Sequence, residues 1–290
     1  HADMIELEDG RWYMVSLGKR NDLDGDANMG RETYLMPMQW EPTIVKWEQV
    51  SEDRWEPLRY LFPVVAPLTG KVERFTPLPY ADKPQYINNT VVDDFLDENL
   101  DLRWTFVRVP EDKTYSLSEN PGFLRLYSKP GIIQDRKRFS LVGFRQKESD
   151  FEFEVKMNFS PEKDKVESGI IHYQKEWNYL TNIVTKVKKK YYLEQKLKEK
   201  SKEIVTLKKT ILKGYDGNII LKVKSKKDKY DFYYSLNNGS SFIYFTSMDA
   251  IKILDRNYTG ALLGLYTTSN GKVTQDHADY DWIRYRDYLR

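Results

Sequence analysis

Apolar and polar residues alternate with a period of two along most of this chain. Residues 1–7, 11–17 and 32–40 each alternate or run apolar for the length of a strand. They are separated by Glu8-Asp9-Gly10 and by a loop over 19–30 that contains NDLDGDANMG. Gly, Asn and Asp in those gaps supply the positive φ angles and side-chain turns that chain reversals need. Three strands joined in this way predict an antiparallel meander, the unit of a propeller blade or a part of a sandwich.

The pattern then changes twice. Pro57, Pro63, Pro67, Pro77, Pro79 and Pro84 fall within 28 residues, and each removes a donor from any ladder it joins. An extended connection is therefore expected over 63–90, after a first domain ending at 62. Beyond it, strand candidates recur at 104–107, 123–127, 139–146, 151–159, 168–173, 179–187, 191–197, 202–207, 218–225, 230–236, 242–246, 261–267 and 278–285. Spacing near ten residues, with Gly, Asn or Asp at many turns, predicts an all-β sandwich over 91–290. Leu236-Asn237-Asn238-Gly239-Ser240 is the clearest hairpin signal, because Asn-Gly tolerates a primed turn.

The stretch KVKKKYYLEQKLKEKSKEIVTLKK, 186–209, has the composition of a helix or of a phosphate-binding run. Yet Tyr191, Leu193 and Leu197 share one parity, as do Ile204 and Thr206, and acidic residues are interleaved. The expectation is a solvated face on two hairpin strands, since the acids oppose counterion release from nucleic acid.

Composition narrows the chemistry. Lys and Arg number 46 against 44 Asp and Glu, a net charge of +2, so no global field favours nucleic acid or membrane. No apolar run is long enough to span a bilayer. The absence of Cys excludes disulfides, thiolate metal sites and Cys nucleophiles. With three His and no G-x-x-x-x-G-K-[ST], G-x-S-x-G or H-E-x-x-H motif, nucleotide, serine-hydrolase and zinc-protease chemistry have no support. The 21 Tyr, 13 Phe and 7 Trp suit sheet packing and also sugar stacking. A strand pattern already running at His1, without an initiator Met, reads as a start inside a domain; a leader and a compartment, cytoplasmic or secreted, are not read from it.

Two groups of motifs occur in order. The first is His1-Ala2-Asp3-Met4-Ile5-Glu6-Leu7, Gly10-Arg11-Trp12-Tyr13-Met14-Val15 and Gly30-Arg31-Glu32-Thr33. The second is Val92-Asp93-Asp94-Phe95, Leu102-Arg103-Trp104-Thr105-Phe106 and YSLSENPGFLRL over 115–126, closed by ADYDWIRY over 278–285. Together they resemble the C-terminal half of family 43 glycoside hydrolases of the β-xylosidase and α-arabinofuranosidase kind. There a five-bladed β-propeller precedes a concanavalin A-like β-sandwich (jelly roll). The resemblance implies the last propeller strands over 1–62, a proline-rich linker over 63–90 and the sandwich over 91–290. It implies exo-action on xylo- or arabino-oligosaccharides, with the sandwich shaping the pocket.

The same resemblance puts the catalytic carboxylates in blades that would precede residue 1, so no catalytic residue is expected here and the chain alone should be inactive. Expected partners are a xylan- or arabinan-derived oligosaccharide and the missing blades, from the same gene or a separate chain. No nucleic acid and no membrane are expected, and a homo-oligomer is compatible. The alternative is a non-catalytic carbohydrate-binding or structural sandwich.

Four residues carry site expectations. By resemblance, His1 matches a His at the propeller axis that helps hold a metal ion, usually calcium, directly or through water; the alternative is a disordered terminal residue. Arg31 matches an arginine of the substrate pocket, whose guanidinium fork can orient a carboxylate or bind sugar hydroxyls; the alternative is a salt bridge with Glu32 or a nearby acid. Asp3 and Glu6 receive no catalytic role. In the sandwich, Asp93 and Asp94 open the domain and Asp279 and Asp281 lie in its last strand. Asp94 and Asp281 are the candidates for a structural calcium stapling the two ends, against surface acids or a hydrogen-bonded β-bulge. Trp177, Tyr179, Tyr191 and Tyr192 could form a sugar platform, with sheet packing the favoured role for each.

Overall fold

The structure is a computed structural model and describes residues 1–20, 28–73, 75–80, 90–136, 138–226, 229–254 and 258–288. The chain divides into two compact units, one of His1–Arg20 and Arg31–Ile87, the other of Asn21–Gly30 and Asn88–Arg290. The first unit is a four-stranded antiparallel meander of β1 (Ala2–Glu6), β2 (Trp12–Lys19), β3 (Arg31–Ser51) and β4 (Arg54–Val65), in that order.

β4 was not legible from sequence, because it contains Pro57 and Pro63. Both are accommodated because β4 is an edge strand: Pro57 stands opposite Trp47 and Pro63 opposite Trp40, with the outer side of the strand unpaired in the sheet. The strand thus overlaps the expected linker up to Val65, while residues 81–89 of that stretch lie outside the described residues.

The second unit is the expected sandwich. Its strands are β5 (Thr90–Asp93), β6 (Thr105–Phe106), β7 (Tyr115–Ser116), β8 (Leu124–Tyr127), β9 (Ser140–Arg145), β10 (Phe151–Asn158), β11 (Glu167–Lys175) and β12 (Asn178–Val187). There follow β13 (Lys190–Glu199), β14 (Val205–Ile211), β15 (Asn218–Lys226), β16 (Lys229–Ser235), β17 (Ile243–Asp249), β18 (Leu262–Thr268) and β19 (His277–Asp287). One sheet has the order β17-β16-β15-β10-β19-β8-β7, with β5 also paired to β19; the other runs β14-β13-β12-β11-β18-β9-β6. The Asn238-Gly239 turn joins β16 to β17 with φ of 54° and 85°. The lysine-rich stretch forms β13 and most of β14, and its charges are paired: Lys196 with Glu167 at 2.6 Å and Lys209 with Glu194 at 2.6 Å.

Alternation decides what lies between the sheets. In β10, Phe151, Phe153, Val155 and Met157 point inward and are buried, while Glu152, Glu154 and Lys156 point outward. The inward set joins Leu180, Leu221, Leu265, Tyr280, Ile283 and Tyr285 in one core. A second apolar cluster of Ile171, Tyr173, Tyr179, Ile183, Leu262 and Tyr266 lies on the other face of the seven-stranded sheet. Ile133 and half-buried Val107 and Phe139, from the segment between β6 and β9, cover that face. This explains why β11 and β12 are buried at nearly every position instead of at every second one.

Candidate functional site

Register places the two candidate residues of the meander together. Leu17 N donates to His1 O, extending the β1–β2 pairing by one row, and Leu17 stands opposite Thr33; the next row of the same parity pairs Lys19 with Arg31. His1, Asp3 and Arg31 therefore share one face at one end of the meander, and all three are exposed. Glu32, on the opposite face, is gripped by Arg20 through two hydrogen bonds of 2.7 Å, so this carboxylate belongs to Arg20. Around His1, among the described residues, no group of three or more His, Asp or Glu gathers that could hold a metal ion.

The sandwich acids are committed elsewhere. Asp93 accepts from Phe95 N at 3.0 Å and from the Trp104 indole at 2.7 Å, which pins the first loop of the domain. Asp279 receives a bidentate fork from Arg125, both contacts 2.8 Å, and a third bond from Asn120; the carboxylate raises the Arg125 pKa further above its ordinary value. Asp281 pairs with Lys156 Nζ at 2.7 Å. It is the extra residue of a β-bulge, where the β10–β19 register shifts between Lys156 and Met157.

Asp94 is exposed in the loop after β5. Among the described residues neither it nor Asp281 joins a group of three or more His, Asp or Glu. The β-bulge alternative describes Asp281. Cross-strand partners such as Arg125, 154 residues from Asp279, carry no local signal by which a sequence reading could find them.

The four aromatics weighed as a sugar platform all have neighbours within the protein. Tyr179 is buried in the second cluster, and Tyr191 packs on Tyr215 at 4.8 Å between ring centres. Tyr192 lies under Lys209, and Trp177 carries both Arg136 and Lys175 near its ring.

A buried polar group not foreseen from sequence sits at the core. His172 Nε2 meets Gln146 Oε1 at 3.0 Å, with the imidazole 4.7 Å from the Tyr230 ring and 5.6 Å from Phe151. Burial lowers the His172 pKa from 6.5 to about 3, so the ring is neutral at physiological pH and is no proton donor there. The Tyr230 hydroxyl accepts from Asn28 Nδ2 at 2.7 Å, fixing the segment 28–30 of the sandwich unit. Gly30 there has φ of 69° and approaches Gly260 so closely that a Cβ would lie 2.3 Å from Gly260 N.

A glycosidic general acid needs an upward pKa shift. The shifts resolved at Asp9, Asp101 and Asp216 run the other way, the first two through hydrogen bonds from Arg11 and Arg103, the third through the Asn218 backbone amide.

Comparisons with known proteins agree with this architecture. The family described as "Beta xylosidase C-terminal Concanavalin A-like domain" matches residues 92–286. A "Non-reducing end alpha-L-arabinofuranosidase BoGH43B" of Bacteroides ovatus is 29% identical over 99% of this chain and 50% of its own length. A "Xylosidase/arabinosidase" of Butyrivibrio fibrisolvens is 30% identical over 98% of this chain and 51% of its own length. Among solved structures, the "Bacteroides ovatus Xyloglucan PUL GH43B" superposes with a TM-score of 0.83 at 26% identity, covering 99% of this chain and 53% of that one. The GH43 BlXynB protein from Bacillus licheniformis superposes at 0.79 with 27% identity, again over 99% and 53%. The chain thus spans about half the length of the curated relatives it matches.

Proposed function

The chain belongs to the family of β-xylosidase C-terminal concanavalin A-like domains, and we propose that it is the C-terminal half of a glycoside hydrolase acting on xylo- or arabino-oligosaccharides. The observation that carries the reading is coverage: relatives named as xylosidases and arabinofuranosidases align with the meander as well as the sandwich, over 98–99% of this chain. On this reading β1–β4 are closing strands of a five-bladed β-propeller. The shared face of His1 and Arg31 is then the part of the chain that faces the pocket.

Arg31 holds and orients substrate hydroxyls or a catalytic carboxylate through its planar fork. The general acid and base come from blades encoded before this segment, and the sandwich shapes the pocket without entering the chemistry. Oligosaccharide released from xylan or arabinan is the substrate class.

The test is hydrolysis of aryl β-xylosides and aryl α-L-arabinofuranosides. The 290-residue chain alone should show no turnover. Joined to the coding region upstream of His1 it should be active, and Arg31→Ala in that enzyme should lower kcat/KM by roughly 10²-fold. Sustained turnover by the chain alone, or an inactive joined enzyme, would refute the proposal.

A further inference from the structure

The eight-stranded sheet carries a polar groove across one end of β8, β19, β10, β15 and β16. Because neighbouring strands are antiparallel, the end of β10 meets the starts of β15 and β19 there. Two adjoining hollows of about 330 and 410 Å³ form the groove and share Lys156 and Asn218. Each has the size of a small-ligand site.

The β-bulge aims Asp281 into this groove, where it lies 28% exposed beside Lys156. The pair offers an acceptor and donors side by side with no net charge. Asn158 Nδ2 donates to Asn218 Oδ1 at 3.1 Å, and Asn158 Oδ1 makes no hydrogen bond among the described residues. The Asn238 side chain, in the left-handed region at φ 54°, likewise makes none among the described residues.

Turn chemistry explains part of this amide-rich lining but not all of it. Asn237 is engaged with Ser241 through both side-chain atoms, as a turn asparagine should be. Asn158 instead ends a strand, where β-propensity disfavours asparagine. Phe123, half-buried, lines the same hollow as Asn158 and Asp281.

A sugar hydroxyl both donates and accepts, and its ring has an apolar C–H face. The groove's amides, its Lys156–Asp281 pair, the Asp216 carboxylate that accepts from Asn218, and one aromatic residue complement that combination, while Asp279 is taken by Arg125. A phosphate or nucleic acid would instead need surplus positive charge.

We propose that this groove binds a short neutral oligosaccharide through Asn158, Asn218, Asn238 and the Lys156–Asp281 pair, with Phe123 beneath a sugar face. The pentose identity of that sugar rests on the proposed function; the groove's chemistry does not. The site would hold an oligosaccharide on the sandwich without contributing to bond cleavage.

Calorimetric titration of the 290-residue chain with xylotetraose, arabinotetraose and cellotetraose tests it. The expected result is saturable binding of a pentose oligomer with a dissociation constant on the order of 10⁻⁴ to 10⁻³ M. Asn158→Ala, Asn238→Gly and Phe123→Leu should each weaken it about fivefold. Asn238→Gly tolerates the positive φ, so its loss of binding cannot be laid to a broken turn.

Absence of saturable heat at millimolar sugar, or unchanged affinity in all three groove variants, would overturn the site. Loss of binding in Arg31→Ala would move it to the meander, and preference for cellotetraose would overturn the pentose assignment. These readouts are independent of hydrolysis, so an inactive joined enzyme would refute the proposed function and leave the groove standing.

Discussion

The β3–β4 hairpin and the β10–β15 pair are both antiparallel and both rich in apolar side chains, yet they end in opposite states. In β10 every second side chain is sealed in the core. In β3, every position from Pro42 to Ser51 is exposed, and Trp47, Trp55, Tyr60, Leu61 and Phe62 stand in solvent at 45–64% exposure. The two halves of β3 also differ: Met36 and Met38, opposite Met14 and Trp12 of β2, are buried, whereas the half beyond Met38 pairs with β4 alone. Alternation supplies a face that can be buried, but only a second layer buries it. The sandwich has that layer, whereas the hairpin holds itself by its own ladder and by surface pairs such as Lys46–Glu48.

Phe153→Ala, which empties a site 1% exposed and 5.6 Å from the Phe144 ring, should cost about 3–5 kcal/mol in denaturant unfolding of the sandwich. A cost below about 1 kcal/mol would mean that this core is not the main source of stability.

Acid provides a second test, through His172. Its folded pKa is depressed from 6.5 to about 3, so the unfolded chain takes up the proton first as the pH falls. Stability from this group is complete above pH 6.5 and declines by up to about 1.4 kcal/mol per unit between there and pH 3. Thermal midpoints measured from pH 7 to 4 should show this slope, and His172→Gln should flatten it. An unaltered slope in the variant would assign acid sensitivity to other groups.

The β12–β13 turn should move in the other direction. Lys188 and Lys189 both have positive φ, 47° and 66°, in a position that suits Asn-Gly. Replacing them by Asn-Gly should stabilise the sandwich by about 0.5–1 kcal/mol, read from the denaturation midpoint.

The smallest effect belongs to the hairpin. Trp47→Ser should shift stability by less than about 0.5 kcal/mol, because the ring is 57% exposed. A loss comparable to that of Phe153→Ala would show that the hairpin face is covered in solution.

Much of the sandwich was readable because its information is local. The alternation at 151–159 became β10, and the Asn238-Gly239 signal became the β16–β17 turn. β4 was hidden by Pro57 and Pro63, since proline is compatible with an edge strand and sequence does not say which strand is an edge. β5 and β7, four and two residues long, are too short to show a period. At the candidate site, motif resemblance singled out His1 and Arg31, and register put them on one face. The same reading offered a β-bulge as one alternative for these acids but could not see that Asp281 would pair with Lys156, because that partner is set by pairing across distant strands.

What the sequence by itself determined is the all-β class, the position of most strands, the hairpin turns, and a chain without cysteine and without nucleotide-loop or zinc-protease motifs. These follow from steric rules and residue types that act within a few positions of the chain. Tertiary structure alone decided that β10 lies between β15 and β19, that the seven-stranded sheet has a second buried face, and that Asp93, Asp279 and Asp281 serve Trp104, Arg125 and Lys156. Those outcomes depend on which alternating faces meet and in what register, and a shift of one residue would exchange every inward side chain for an outward one.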